Sequence, residues 1–153
     1  METTAPRNHH TLKQLMKVGG DGGGGDPPRR KPLIYKHKQR KEEEEVKLAA
    51  LAISFNIRLR SADMPLPMQE RALRHARALL DAAAHLRRPN PTLLSRSLKK
   101  EFDSVYGPAW HCVAGKSFGS FVTHSPGGFL YFSIDSFSFL LFKTEVHLVS
   151  QTP

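Results

Sequence analysis

Residues 110–143, WHCVAGKSFGSFVTHSPGGFLYFSIDSFSFLLFK, constrain the fold more than any other part of this sequence. They hold its only Trp, its only Cys and seven of its nine Phe. Turn-forming residues at 114–117, 125–128 and 135–136 divide four short apolar runs, 110–113, 118–124, 129–134 and 137–143. That spacing predicts an antiparallel meander of four strands. The run 118–124 differs from the others because Gly119, Ser120 and Thr123 leave it little to bury. It is a candidate edge strand, whose unpaired N–H and C=O groups invite another chain.

Upstream, Phe55, Ile57 and Leu59 alternate with Asn56, Arg58 and Arg60, the period of a first strand. Met68, Ala72, Leu73, Ala76, Leu79, Leu80, Ala83 and Leu86 then recur at helical spacing, up to a stop near Pro89. A second helix has Asn90 as its cap, Pro91 at its first position and Gly107-Pro108 as its end. Leu94, Leu98, Phe102 and Val105 form its expected buried stripe. One strand, two helices and a four-stranded meander make an α+β domain over residues 55–147. Residues 148–153 are expected to form a flexible tail.

Residues 1–54 read as a basic, Gly-rich extension that is largely disordered, because the run GGDGGGGDPP has almost nothing to bury. A helix is expected only at 42–53, EEEEVKLAALAI, where Glu favours the N-terminal end of the dipole. The formal net charge of +9 is concentrated here: residues 1–60 hold 13 Lys or Arg against 7 Asp or Glu. Arg29-Arg30-Lys31 and residues 36–41 resemble a nuclear-import or polyanion-binding cluster. An interaction with nucleic acid through this extension is therefore the alternative function, and steep loss of binding with salt would mark it.

The length suits one domain. A single Cys forms no internal disulfide, and Pro91 disqualifies Asn90 as a glycosylation acceptor. With no signal-like or membrane-spanning apolar run, a soluble intracellular protein is expected. Catalytic chemistry is not indicated. His111 and Cys112 are neighbours on an expected strand and so face opposite ways. Gly115-Lys116-Ser117 ends like a phosphate-binding loop, but Trp110 stands where that loop needs its first glycine. The histidines lack metal-ligand spacing.

The string KKEFDSVYGPAWHCVAGKSFGSFVTH from Lys99, followed by FLYF and LLFK, resembles the cytoplasmic dynein light chain family of the small homodimeric type. The resemblance extends back more loosely to Ser61-Ala62-Asp63-Met64. It implies a strand-swapped homodimer with no cofactor, no metal and no catalysis. Residues 118–124 would be the exchanged strand, and short disordered peptides with Thr-Gln-Thr-like cores would add beside it. The implied peptide groove consists of Ser61, Phe118, Gly119, Ser120, Phe121, Val122, Thr123, His124, Phe129 and Tyr131. His111 falls at the implied dimer interface, where protonation near pH about 6.5 would oppose burial. Implied partners are the dynein intermediate chain or other scaffold proteins, in a cytoplasmic, cytoskeleton-associated setting. The basic cluster adds a nuclear address as a further expectation.

The sequence departs from the family at Ser133, where a Tyr is usual, and at Pro91-Thr92, where an acidic residue and a Lys are common. The connection between the two helices also looks longer. In the tail, Ser150-Gln151-Thr152 resembles the ligands' core, so it is a candidate occupant of its own groove.

Overall fold

The protein is described by a computed structural model that covers residues 32–86, 88–147 and 149. Helix α1 spans Leu33–Ser54, strand β1 Ile57–Asp63, helix α2 Leu66–Ala82 and helix α3 Pro91–Tyr106. Strands β2 (Trp110–Gly115), β3 (Phe129–Ile134) and β4 (Phe137–Lys143) follow. The Gly-rich run and the Ser150–Thr152 motif lie outside the described residues.

Helix α1 begins nine residues before the expected start at 42, since residues 33–54 contain no Gly or Pro to interrupt it. Lys38–Glu42, Arg40–Glu44 and Lys41–Glu45 pair at i,i+4, each at 3.9 Å. Its last turns bury Leu48 and Leu51 in the same core as the following strand. Asn56 then adopts φ +53°, and its N–H bonds the carbonyl of Ile53 at 3.2 Å, closing the helix. That left-handed residue is why β1 starts at Ile57, two residues later than the alternation starting at Phe55 suggests.

The ends of α3 follow the expected chemistry. Asn90 Oδ1 accepts from the N–H groups of Thr92 (2.9 Å) and Leu93 (3.4 Å), and Gly107 at φ +73° ends the helix. Leu94, Leu98 and Phe102 are buried, but Val105 in the last turn is exposed. Asp103 fixes the exit from α3 by accepting the Trp110 N–H at 2.8 Å. Burial works to raise its pKa, yet the Lys99 ammonium and that N–H outweigh it and hold the carboxyl below its usual value. Trp110 is thereby set edge-on to Phe102, with ring centroids 4.9 Å apart.

The sheet is antiparallel with strand order β1-β3-β4-β2. This corrects the simple meander: β2 pairs with β4, from Trp110 opposite Lys143 to Gly115 opposite Ser138. Residues 118–124 form no strand and join neither free edge of this chain's own sheet, at β1 or at β2. A tight turn returns the chain to β3. Within it, Ser125 N–H bonds Lys143 O (2.7 Å) and Lys143 N–H bonds Gly128 O (2.8 Å). A Cβ on Gly128 would stand 2.8 Å from the Cβ of Lys143, so only glycine fits there.

One face of the sheet packs against the helices. Ile57, Trp110, Leu130, Phe132, Ile134, Phe139 and Leu141 are buried there with Leu73, Ala76, Leu98 and Phe102. Phe132 stacks on Phe139 with centroids 5.2 Å apart. The β3–β4 turn is tied back to this layer, since Asp135 accepts from Arg77 (2.8 Å) and Asn56 (3.0 Å).

Candidate functional site

The second face of the sheet carries none of the described helices, yet it is apolar. By the registers, His111 and Val113 of β2 lie beside Phe142 and Leu140 of β4, which lie beside Phe129 and Tyr131 of β3. Leu140 is only 1% exposed although it is absent from the helix-side core. Val113 remains 41% exposed at the margin. The sequence carries a signal for this face that alternation alone misses: Phe139-Leu140-Leu141-Phe142 is apolar without a break, as in a strand covered on both sides.

Residues 118–124 run past this face. Phe118 approaches Tyr131 with ring centroids 6.1 Å apart, and its Cδ1 would lie 3.6 Å from a Cβ on Gly115. At the other end His124 stacks on Phe129 at 4.6 Å. The His124 ring Nδ1 lies 2.9 Å from Ser125 O and 4.0 Å from Asp63 Oδ2, which accepts the Gly127 N–H at 3.1 Å. Asp63 is thus a part of the site that pattern reading does not single out. Between the two anchors, Val122 is half-buried, while Gly119, Ser120, Phe121 and Thr123 are exposed. Phe121 is exposed to 105% of its reference surface, so its ring touches nothing that shields it. A Cβ on Gly119 would meet nothing within 4 Å.

Phe118, His124, Phe129 and Tyr131 are therefore brought together, and Ser61 joins them because β1 pairs it with Tyr131. His111 stands apart on β2, exposed in the single chain. Its Nε2 is 2.9 Å from Thr144 Oγ1, and its ring stacks on Phe142 at 5.0 Å. Cys112 points the other way, toward the core, and burial pushes its thiol up to about 12, which keeps it protonated. No group of three or more His, Cys, Asp or Glu among the described residues could hold a metal, and no described helix is long and apolar enough to cross a membrane.

The two sheet edges differ. The β1 edge carries Arg58, Arg60 and a bulge between Leu59 and Ser61, features that oppose pairing with another strand. The β2 edge has neither a bulge nor an Arg or Lys from Trp110 to Gly115, and it adjoins the apolar face. These features define a small α+β domain with one edge and one face open to a second chain.

Comparison with known proteins agrees with this class. The sequence model for dynein light chain type 1 matches residues 56–144, and the chain belongs to that family. It is similar to the dynein light chain of Schistosoma mansoni, at 40% identity over 86 residues, covering 56% of this chain and 91% of the relative. It is also similar to the cytoplasmic dynein light chain of Emericella nidulans, at 39% identity over 88 residues, covering 58% of this chain and 88% of the relative. Among solved structures, the dynein light chain-like domain of a Fasciola hepatica calcium binding protein superposes with a TM-score of 0.53 at 21% identity, over 59% of this chain and 93% of that one. Helix α1 lies outside the family match.

Proposed function

We propose that the chain is a non-catalytic homodimeric hub that binds short linear peptides by strand addition. The observation that carries this reading is the state of residues 118–124: without regular structure, in no ladder among the described residues, anchored at both ends on an apolar face, and bearing a fully exposed Phe121. Exchanged onto the uncharged β2 edge of a second copy, the segment acquires one ladder there and presents its other edge to a peptide. Main-chain hydrogen bonds then supply affinity. The side chains of Ser61, Tyr131, Phe129 and His124 supply specificity for the peptide's alternate side chains. His111 and Val113 come to lie at the dimer interface. The family and the cytoplasmic relatives support a light-chain role in a cytoplasmic microtubule motor complex, with the dynein intermediate chain or other scaffold proteins as partners.

The test is a pull-down and a titration with a Thr-Gln-Thr-core peptide, comparing the native chain with Gly119→Trp. A Cβ at position 119 meets nothing within 4 Å, so a side chain can leave the backbone there, and the bulk of the indole then stands where a peptide strand would add; far-UV circular dichroism checks that the variant is folded. Peptide affinity should fall by about 100-fold or more, equivalent to at least about 2.7 kcal/mol. An unchanged set of captured proteins would refute the groove. The nucleic-acid reading gains nothing from the described residues, since Lys38, Arg40 and Lys41 each lie beside a glutamate on α1.

A further inference from the structure

Strand β1 contains the sequence Arg58-Leu59-Arg60-Ser61, with cations three residues and one residue before a serine hydroxyl. In a regular strand, residues three apart point to opposite faces. Here the bulge inserts Arg60 between Leu59 and Ser61, so Arg58 pairs with Ser133 and Ser61 with Tyr131. Both therefore stand on the face away from the helices. Arg60 reaches that face as well: its Nε donates to Ser133 Oγ at 3.3 Å, and its guanidinium lies 6.0 Å from the Tyr131 ring centroid. Ser61 is exposed, on a strand bonded along one side only, and its hydroxyl has no hydrogen-bond partner among the described residues. Arg58 is likewise exposed and pairs with no carboxylate among them.

We propose that Ser61 is a phosphorylation site for an arginine-directed serine kinase, and that its phosphorylation closes the peptide groove; this control of binding rests on the groove reading above. An edge strand already offers the extended backbone such an enzyme must grip, and Arg58 and Arg60 supply the cations it reads. In the transfer, Ser61 Oγ attacks the γ-phosphorus of a nucleoside triphosphate while its proton passes to a carboxylate of the kinase. The bond to the β-phosphate oxygen breaks, and the nucleoside diphosphate leaves with the electron pair. The product carries a charge of about −2 between two guanidinium groups that can hold it through charge-assisted hydrogen bonds. Drawing Arg60 onto the phosphate removes it from Tyr131 and Ser133. Asp63, next on the same face, adds like charge. A small neutral hydroxyl on the groove wall thus becomes a bulky dianion.

The full chain, its Ser61→Ala and its Arg58→Gln variants are incubated with an arginine-directed kinase and ATP, and phosphate is located by mass spectrometry. Fluorescence anisotropy of a labelled Thr-Gln-Thr-core peptide then compares modified with unmodified protein. The expected result is one phosphate on Ser61, none there in Ser61→Ala, and slower uptake by roughly tenfold in Arg58→Gln. Peptide affinity should fall by roughly tenfold or more on modification, as charge is forced into the groove. Phosphate elsewhere only, or none, overturns the site. Uptake at Ser61 with unchanged peptide affinity overturns its control of the groove. If the unmodified chain binds no peptide while Ser61 still takes phosphate, the groove reading fails and the modification site stands.

Discussion

Replacing Phe121 by serine separates what the single chain needs from what its assembly needs. In one chain the ring is fully exposed, so the isolated fold should change by less than about 0.5 kcal/mol. In the proposed dimer the same ring travels with residues 118–124 onto a second copy, where burial of a Phe side chain contributes about 1.5–3 kcal/mol. A two-fold interface contains each residue twice, so the association should weaken by about 3–6 kcal/mol. That corresponds to roughly 10²- to 10⁴-fold in Kd. Sedimentation equilibrium over a concentration series reads this directly, with far-UV circular dichroism as the check on folding. A Kd within about threefold of the native value, or a variant that is unfolded as a monomer, would refute the exchange of this segment.

Other outcomes follow from the rest of the structure. Leu48→Ala or Leu51→Ala should each cost about 2–3 kcal/mol, because α1 buries both leucines in the shared core, and urea midpoints at one fixed protein concentration check this. Unshifted midpoints would mean that α1 is not docked. For the same reason a deletion meant to remove only the basic extension should end at residue 32 rather than 54. The half-buried Cys112 thiol, held at about 12, should react with an aromatic disulfide reagent at pH 8 far more slowly than an exposed thiol, and labelling of native protein at the rate of a free cysteine would contradict the raised value. Its protonated form favours the folded state fully below the ordinary thiol value of 9.0, and that contribution is lost as pH rises toward about 12.

Much of the fold was legible because it is set by near neighbours. Asn90, Pro91 and Gly107 bound α3 through capping hydrogen bonds and a left-handed stop, and the i,i+4 spacing of Leu94, Leu98 and Phe102 defines its buried side. The candidate site rests chiefly on resemblance, since its residues come from β1, β3 and a segment without regular structure. Asp63, Val113, Leu140 and Phe142 were missed because each acts through a cross-strand neighbour that alternation within one strand does not identify. The helix at 33–41 is hidden for a different reason: its basic run resembles a polyanion-binding cluster in a disordered extension, whereas the glutamates that follow pair with it across one helical turn.

The sequence by itself determined the local elements and the apolar helix-facing side, because turns, caps and periodicity act over four residues or fewer. Only the tertiary structure decided that β2 pairs with β4, that a bulge at Arg60 turns Arg58 and Ser61 to one face, and that Leu140 is buried on the side away from the helices. Those outcomes depend on which distant strands meet and in what register, and a one-residue change in register moves side chains to the opposite face. Residues 118–124 show the division clearly. Their composition marks them as having little to bury, but only the tertiary structure shows that they pair with neither free edge of the sheet β1-β3-β4-β2 in their own chain.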